Sequence, residues 1–162
     1  MIDFSLSEEE RAVRDTIRQF IQQQVMPLEP QVLGNERRGL PPLEPGQLTE
    51  LQLKAKAGGW WGINTPEEYG GIALGPVMSA IIAMEVGRTF VPFRFGGSAD
   101  NILYAGTAEQ KQEYLIPTIN GERRSCFAIT EPGAGSDARN IRTRAVKDGG
   151  DWVINGQKTF IT

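Results

Sequence analysis

The sequence predicts an α+β fold that is mainly helical, with an all-helical first part and the opening of an antiparallel β domain behind it. Three observations lead there. Two helix-capping boxes and apolar residues spaced three and four apart fill the first 120 or so positions. After Gly121 the spacing changes to a two-residue alternation punctuated by glycine turns. Between these regimes lies one dense glycine-rich loop, Thr130-Glu131-Pro132-Gly133-Ala134-Gly135-Ser136-Asp137. The predicted domains are residues 1–122, helical, and residues 123–162, the start of a β-barrel domain.

Taken in order, Ser7-Glu8-Glu9-Glu10 has the form of a capping box, and Val13, Ile17, Phe20, Ile21 and Val25 make one apolar stripe behind it. Pro27 is expected to end this helix. From there to Gly46, five prolines and three glycines predict irregular chain. Leu48, Leu51 and Ala55 mark a second helix closed by Gly58-Gly59, and Trp60-Trp61 is expected to pack at that bend. Residues 77–88 are apolar on almost every face, the pattern of a buried central helix. A fourth helix fits residues 98–104. Thr107-Ala108-Glu109-Gln110 caps a fifth, expected to stop near Leu115 before Pro117.

Residues 126–130 read as a β-prone run, with Cys126 a small core side chain. Residues 141–147 alternate, turn at Asp148-Gly149-Gly150-Asp151 and return as Trp152-Val153-Ile154. Asn155-Gly156 reads as a further hairpin turn, with another strand from Lys158. So few strands ending on an unpaired edge suggest a longer protein cut short.

Composition narrows the chemistry. Of 162 residues, 40% are hydrophobic and 23% charged, as in globular proteins. The net charge of −3 leaves no basic excess for nucleic acid or an anionic membrane surface. Histidine is absent, which removes the commonest general base and the usual zinc sets. A single cysteine allows no internal disulfide, and with no signal-peptide pattern the expected location is cytoplasmic. No apolar run is long enough for membrane insertion.

In the glycine-rich loop, Gly133 and Gly135 permit close approach, Thr130 and Ser136 supply hydroxyls, and Glu131 and Asp137 are suited to orienting the loop. Gly133-x-Gly135-x-x-Ala138 also satisfies a dinucleotide fingerprint. That reading fails because an alternating strand pattern follows where a helix is required. Glu85 lies in an apolar helix where burial would raise its pKa, though pairing with Arg88 one turn on is the simpler expectation. Arg139, Arg142 and Arg144 suit either CoA phosphates or a solvated face.

Residues 127–137 resemble the flavin-binding signature of the acyl-CoA dehydrogenase family. Other segments resemble that family in the same order: Pro66-Glu67-Glu68-Tyr69-Gly70-Gly71, Gly106-Thr107-Ala108-Glu109-Gln110-Lys111, Asn155-Gly156-Gln157-Lys158 and Phe160-Ile161-Thr162. The resemblance implies FAD held between a middle β domain and C-terminal helices, the latter absent here, with assembly as homodimers or homotetramers. Carried over by position, Phe127, Ala128, Ile129, Thr130, Gly133, Gly135 and Ser136 would line the flavin. Thr130 would contact its ring system, and Ser136 would also lie near the acyl-CoA thioester substrate. Phe160 would pack on the isoalloxazine beside Ile161, and Thr162 would hydrogen-bond near the reactive nitrogen. Phe127 and Phe160 stand where many relatives have tyrosine and tryptophan, which implies altered flavin tuning with binding kept. The implied reaction is α,β-dehydrogenation in fatty acid metabolism, with electron-transferring flavoprotein as acceptor. The family's base is a glutamate from beyond the β domain, and no position here matches it, so no catalytic residue is assigned. Two other readings are an acyl-CoA oxidase or monooxygenase on the same fold, and a non-catalytic homologue serving as a binding or assembly module.

Overall fold

The computed structural model describes residues 5–161. They divide into two units, one running through Arg123 and the other from Arg124. The first is helical, and the second holds a short antiparallel hairpin, so the mainly helical α+β class holds.

In the first unit, α1 spans Glu8–Phe20, and the expected capping box forms: Glu10 N–H donates to Ser7 Oγ at 3.1 Å and Ser7 N–H to Glu10 Oε2 at 2.7 Å. Pro27 does not end the helical path. Ile21–Val25 form a π-helical turn, Met26–Leu28 a 3-10 turn, and α2 follows over Glu29–Arg37. The physical reason is hydrogen-bond accounting. Proline has no N–H and its ring collides with the carbonyl one turn back. The wider turn sends the N–H of Met26, the residue before Pro27, to the Ile21 carbonyl instead. Pro30 then falls in the first turn of α2, where a missing N–H costs nothing. Beyond α2 the chain is irregular as expected, and buried Asn35 ties it down by donating to the carbonyls of Pro41 and Pro42.

The same device recurs near residue 117. After the capping box of Thr107 and Gln110, α6 spans Ala108–Gln110, Lys111–Leu115 form a second π turn, and α7 covers Ile116–Asn120. Here Ile116, immediately before Pro117, donates to the Lys111 carbonyl. The helical path therefore passes beyond Leu115, where the sequence reading stopped it.

The core gathers Ile17, Ile21, Val25, Val32, Leu51, Ala55 and Ile82. Leu51 and Ala55 lie on α3, Gln47–Ala57, closed at Gly58. Phe20, Phe93 and Phe95 pack ring to ring beside it, with centroids 5.0–6.2 Å apart. Helix α4, Pro76–Val86, packs along α1. It is not buried all round: Ile81, Ile82 and Glu85 face inward, while Val77 is 59% and Met84 73% exposed. The next helix is also shorter than expected, with α5 limited to Asn101–Tyr104.

Glu85 corrects a second expectation. Its main partner is Arg18 of α1, which donates through Nε at 3.0 Å and Nη2 at 2.7 Å; Arg88 lies at 3.6 Å. The Arg18 hydrogen bond, and after it the charges of Arg18, Arg88 and Arg14, outweigh burial and hold the Glu85 carboxyl below the usual range. A buried carboxylate thus clamps α1 to α4.

Trp60 packs against the core, as the bend at Gly58 and Gly59 led us to expect. Trp61 lies in a glycine cradle, and its Nε1 donates to the Ile119 carbonyl at 3.0 Å. A methyl on Gly96 would collide with the indole, and one on Gly97 would come within 2.6 Å of it. Lys56 Nζ sits 4.5 Å from the ring centroid.

In the second unit, β1 (Arg144–Asp148) pairs antiparallel with β2 (Asp151–Asn155) in the register Val146 opposite Val153, turning at Gly149 and Gly150 as expected. The strands expected at residues 126–130 and from Lys158 do not form within the described residues, and Cys126 is exposed. Strands are held by pairing, and the described contacts between those segments amount to one backbone bond, Thr159 N–H to the Thr130 carbonyl at 3.0 Å.

Gly96→Ala should destabilise the helical unit by roughly 1–3 kcal/mol through overpacking against Trp61. Gly34→Ala, on α2 with open space around it, should instead be neutral or stabilising by up to about 1 kcal/mol. Urea titrations of the two variants check the contrast. For Glu85 the folded pKa is depressed, so its contribution is complete above the free carboxyl value of about 4.3 and disappears as pH falls through the lower folded value. The stability gap between wild type and Glu85→Gln should therefore close on acidification; a gap independent of pH would contradict the assigned ion pair.

Candidate functional site

The second unit is organised around a carboxylate. Among its described residues only Glu131 and Ala134 are buried. Their backbones exchange hydrogen bonds, Glu131 N–H to Ala134 O at 3.0 Å and Ala134 N–H to Glu131 O at 3.1 Å, which closes the loop at Pro132 and Gly133. The Glu131 side chain faces four donors. Arg142 N–H reaches Oε2 at 2.8 Å. Thr143 N–H at 2.9 Å, the Thr143 hydroxyl and Lys158 Nζ at 3.0 Å all reach Oε1. The Thr143 hydroxyl, then the backbone N–H groups of Arg142 and Thr143, hold the carboxyl at about 2 against the effect of burial, with Lys158 adding to them.

Gly156 is part of the same arrangement. It does not make a hairpin turn, because β2 runs to Asn155 and the chain then leaves the sheet. A Cβ at Gly156 would overlap the Thr143 hydroxyl and lie 2.8 Å from Thr143 Cα. Glycine is needed there so that Thr143 can reach Glu131. Lys158, two residues on, also donates to the Ile129 carbonyl at 3.0 Å. The Asn155-Gly156-Gln157-Lys158 segment thus fits into the back of the glycine-rich loop.

These anchors determine where the residues singled out from sequence fall. Phe127, Ala128, Ile129 and Thr130 lie on a segment outside regular secondary structure, and Phe127 is 69% exposed. Gly133 and Gly135 border open space, and Ser136 is exposed. The Gly133 carbonyl is held by Asn140 Nδ2 at 3.0 Å. Phe160 is 92% exposed, with its backbone in the left-handed region at φ 54°, an uncommon conformation for an aromatic residue. Ile161 is exposed beside it, and Thr162 lies outside the described residues. The Thr159–Thr130 bond brings the two segments together, so Phe127, Ile129, Phe160 and Ile161 all present apolar side chains to solvent in one small unit. Exposed aromatic and aliphatic side chains next to an open, glycine-lined loop and free hydroxyls suit a planar, largely apolar ring with polar edges. Arg139, Arg142 and Arg144 are exposed.

Sequence reading passed over Thr143, Gly156 and Lys158. The available signal was an acidic residue in a glycine-rich loop with no counter-charge nearby, followed 27 positions later by a lysine. In the helical unit, Tyr69 and Lys111, from two of the segments quoted above, also meet: Lys111 Nζ lies 3.3 Å from the Tyr69 hydroxyl, and Tyr69 packs edge-on against Tyr104. Among the described residues no cluster of histidine, cysteine or acidic side chains could hold a metal, and no helix is long and apolar enough to cross a membrane.

A helical unit followed by a glycine-loop-and-hairpin unit is the arrangement of a modular flavoenzyme subunit, and comparison with known proteins identifies which. The family model described as acyl-CoA dehydrogenase, N-terminal domain matches residues 7–122, and the one described as acyl-CoA dehydrogenase, middle domain matches residues 126–162. The chain belongs to the acyl-CoA dehydrogenase family. It is 35% identical to (R)-benzylsuccinyl-CoA dehydrogenase of Thauera aromatica over 99% of this chain and 43% of that protein. It is 39% identical to a short-chain specific acyl-CoA dehydrogenase of Clostridium acetobutylicum over 99% of this chain and 42% of that one. A Bacillus anthracis acyl-CoA dehydrogenase, solved complexed with FAD, aligns with a TM-score of 0.70 at 32% identity, covering 99% of this chain and 28% of its own. The chain spans about two fifths of the length of these curated relatives.

A Glu131 carboxyl held at about 2 should show a side-chain carbon resonance that stays flat on acidification to about pH 3, well below the free glutamate value of about 4.3. With the folded pKa depressed, its hold on the loop is complete above the free value and weakens as pH falls through the folded one. A midpoint near 4 would contradict the four-donor arrangement.

Proposed function

We propose that this chain carries one wall of the flavin site of an FAD-dependent acyl-CoA dehydrogenase, acting on an acyl-CoA thioester. The observation that carries this reading is the apolar surface of Phe127, Ile129, Phe160 and Ile161, exposed on two segments tied together at Thr130 and Thr159. Family membership and an FAD-bound relative add to it. When bound, the flavin supplies the acceptor for a hydride from the substrate β carbon. The chain's own part is to seat and orient it. Phe127, Ala128 and Ile129 line the ring, Thr130 offers a hydroxyl to its edge, and Phe160 and Ile161 pack on it, with Thr162 adjoining. Gly133 and Gly135 keep the loop low enough for close approach, and Ser136 faces the acyl-CoA.

No described residue suits the proton-abstracting step. The two buried carboxylates, Glu85 and Glu131, are both held ionised with lowered pKa values, which makes them weak bases. The base is accordingly assigned to chain outside these residues. In the same reading, residues 1–122 are the helical domain and residues 123–162 the opening of the β domain of a cytoplasmic homodimer or homotetramer. Its electrons pass to an electron-transferring flavoprotein.

The test is a fluorescence titration with FAD, followed by mixing with a panel of acyl-CoA thioesters. Wild type should take up the flavin, and Thr130→Ala should weaken binding by one hydrogen bond, roughly 0.5–1.5 kcal/mol. No uptake by wild type would favour the non-catalytic binding-module reading. Flavin bound, reduced by thioester and reoxidised directly by oxygen at turnover rates would favour an oxidase.

A further inference from the structure

Residues Glu131 and Lys158 touch none of the positions assigned to the flavin through their own apolar surface, yet both are built into the join between the two segments. Lys158 Nζ donates to the Ile129 carbonyl at 3.0 Å and to Glu131 Oε1 at 3.0 Å. The neighbouring Thr159 N–H donates to the Thr130 carbonyl at 3.0 Å. Glu131 in turn grips Arg142 and Thr143 at the entry to the hairpin. One lysine and one glutamate therefore connect three stretches of chain: the Phe127–Thr130 side, the Phe160–Ile161 side and the start of the sheet. Immediately beyond this knot the Phe160 backbone takes a left-handed conformation at φ 54°. Such a conformation costs free energy and persists where its surroundings fix it.

We propose that Glu131 and Lys158 are a positioning pair that locks the Ile129–Thr130 and Thr159–Phe160 segments into one preformed flavin-facing wall. The proposal rests on the flavin reading above. A wall assembled before the ligand arrives spares the ordering cost that binding would otherwise incur. Lys158 has a single charged group serving both an ionic partner and a carbonyl, so arginine can replace it in part and methionine cannot. Because Glu131 and Lys158 act through one shared contact, their effects should not add.

The test uses the full chain and two readouts: FAD affinity, and amide hydrogen exchange without flavin. Lys158→Met and Glu131→Gln should each weaken FAD binding by about tenfold, the effect of about one charge-assisted hydrogen bond. The double variant should be no weaker than the poorer single one, and Lys158→Arg should stay close to wild type. Without flavin, exchange at the Thr159 amide should speed up by about tenfold in Lys158→Met. Trp152 emission and far-UV circular dichroism report whether each variant stays folded, and the lysine pair alone decides the matter if Glu131→Gln does not.

Wild type that binds FAD while Lys158→Met binds equally well overturns the proposal and leaves the flavin reading standing. Unchanged exchange at Thr159 overturns it too, because the segments are then not held by the lysine. Wild type that takes up no FAD brings down the flavin reading itself, and the role toward flavin with it.

Discussion

Glu131 has almost no hydrophobic core around it, and the second unit is ordered about its side chain all the same. A buried carboxylate must be satisfied or expelled. Here satisfaction takes four donors drawn from Arg142, Thr143 and Lys158. That requirement fixes the loop against the hairpin entry, demands glycine at position 156 and places Lys158 within reach of Ile129. The helical unit obeys the same constraint in other ways. Glu85 is answered by Arg18, Asn35 caps two proline carbonyls, and no buried side-chain nitrogen or oxygen among the described residues lacks a partner. Polar bookkeeping, more than apolar area, decides which segments meet.

Stability and site are therefore separable in this chain. The helical unit draws its cohesion from the Ile17, Ile21, Val25 and Val32 core and from the α1–α4 clamp. The second unit spends its polar groups on shaping a loop and leaves its large apolar side chains in solvent, among them Trp152, Phe127 and Phe160. A surface of that kind is uneconomical for a free-standing unit, and it is what a ligand or further chain would be expected to cover.

Much of the fold was legible because local rules and tertiary packing agree. Both capping boxes, the apolar stripe of α1, the glycine stop of α3 and the hairpin at Gly149 follow from spacing alone. The misreadings have distinct causes. Pro27 and Pro117 were taken as helix stops because propensity cannot anticipate a π turn that re-routes the hydrogen bond of the preceding residue. Helix α4 looked buried because an apolar sequence does not say how many of its faces find neighbours. Cys126–Thr130 looked like a strand because β-propensity marks suitability for pairing, and pairing depends on a partner elsewhere in the chain. The loop residues of the site were visible in one glycine-rich motif, whereas Thr143, Gly156 and Lys158 were not. Their role exists only once the chain has folded back 12 to 27 positions.

The π turns carry one more implication. Each turn holds one residue more than the regular spiral would use, and an α-helix rotates by about 100° per residue. Removing a single residue from Ile21–Val25 would let the regular spiral resume, but it would swing everything after it around the axis by that angle. Val32 and Asn35, now turned inward, would then point elsewhere, and the loop that Asn35 anchors would come loose with them. The segment therefore acts as a phase adjuster between α1 and α2, and in alignments of related chains gaps should be placed outside it.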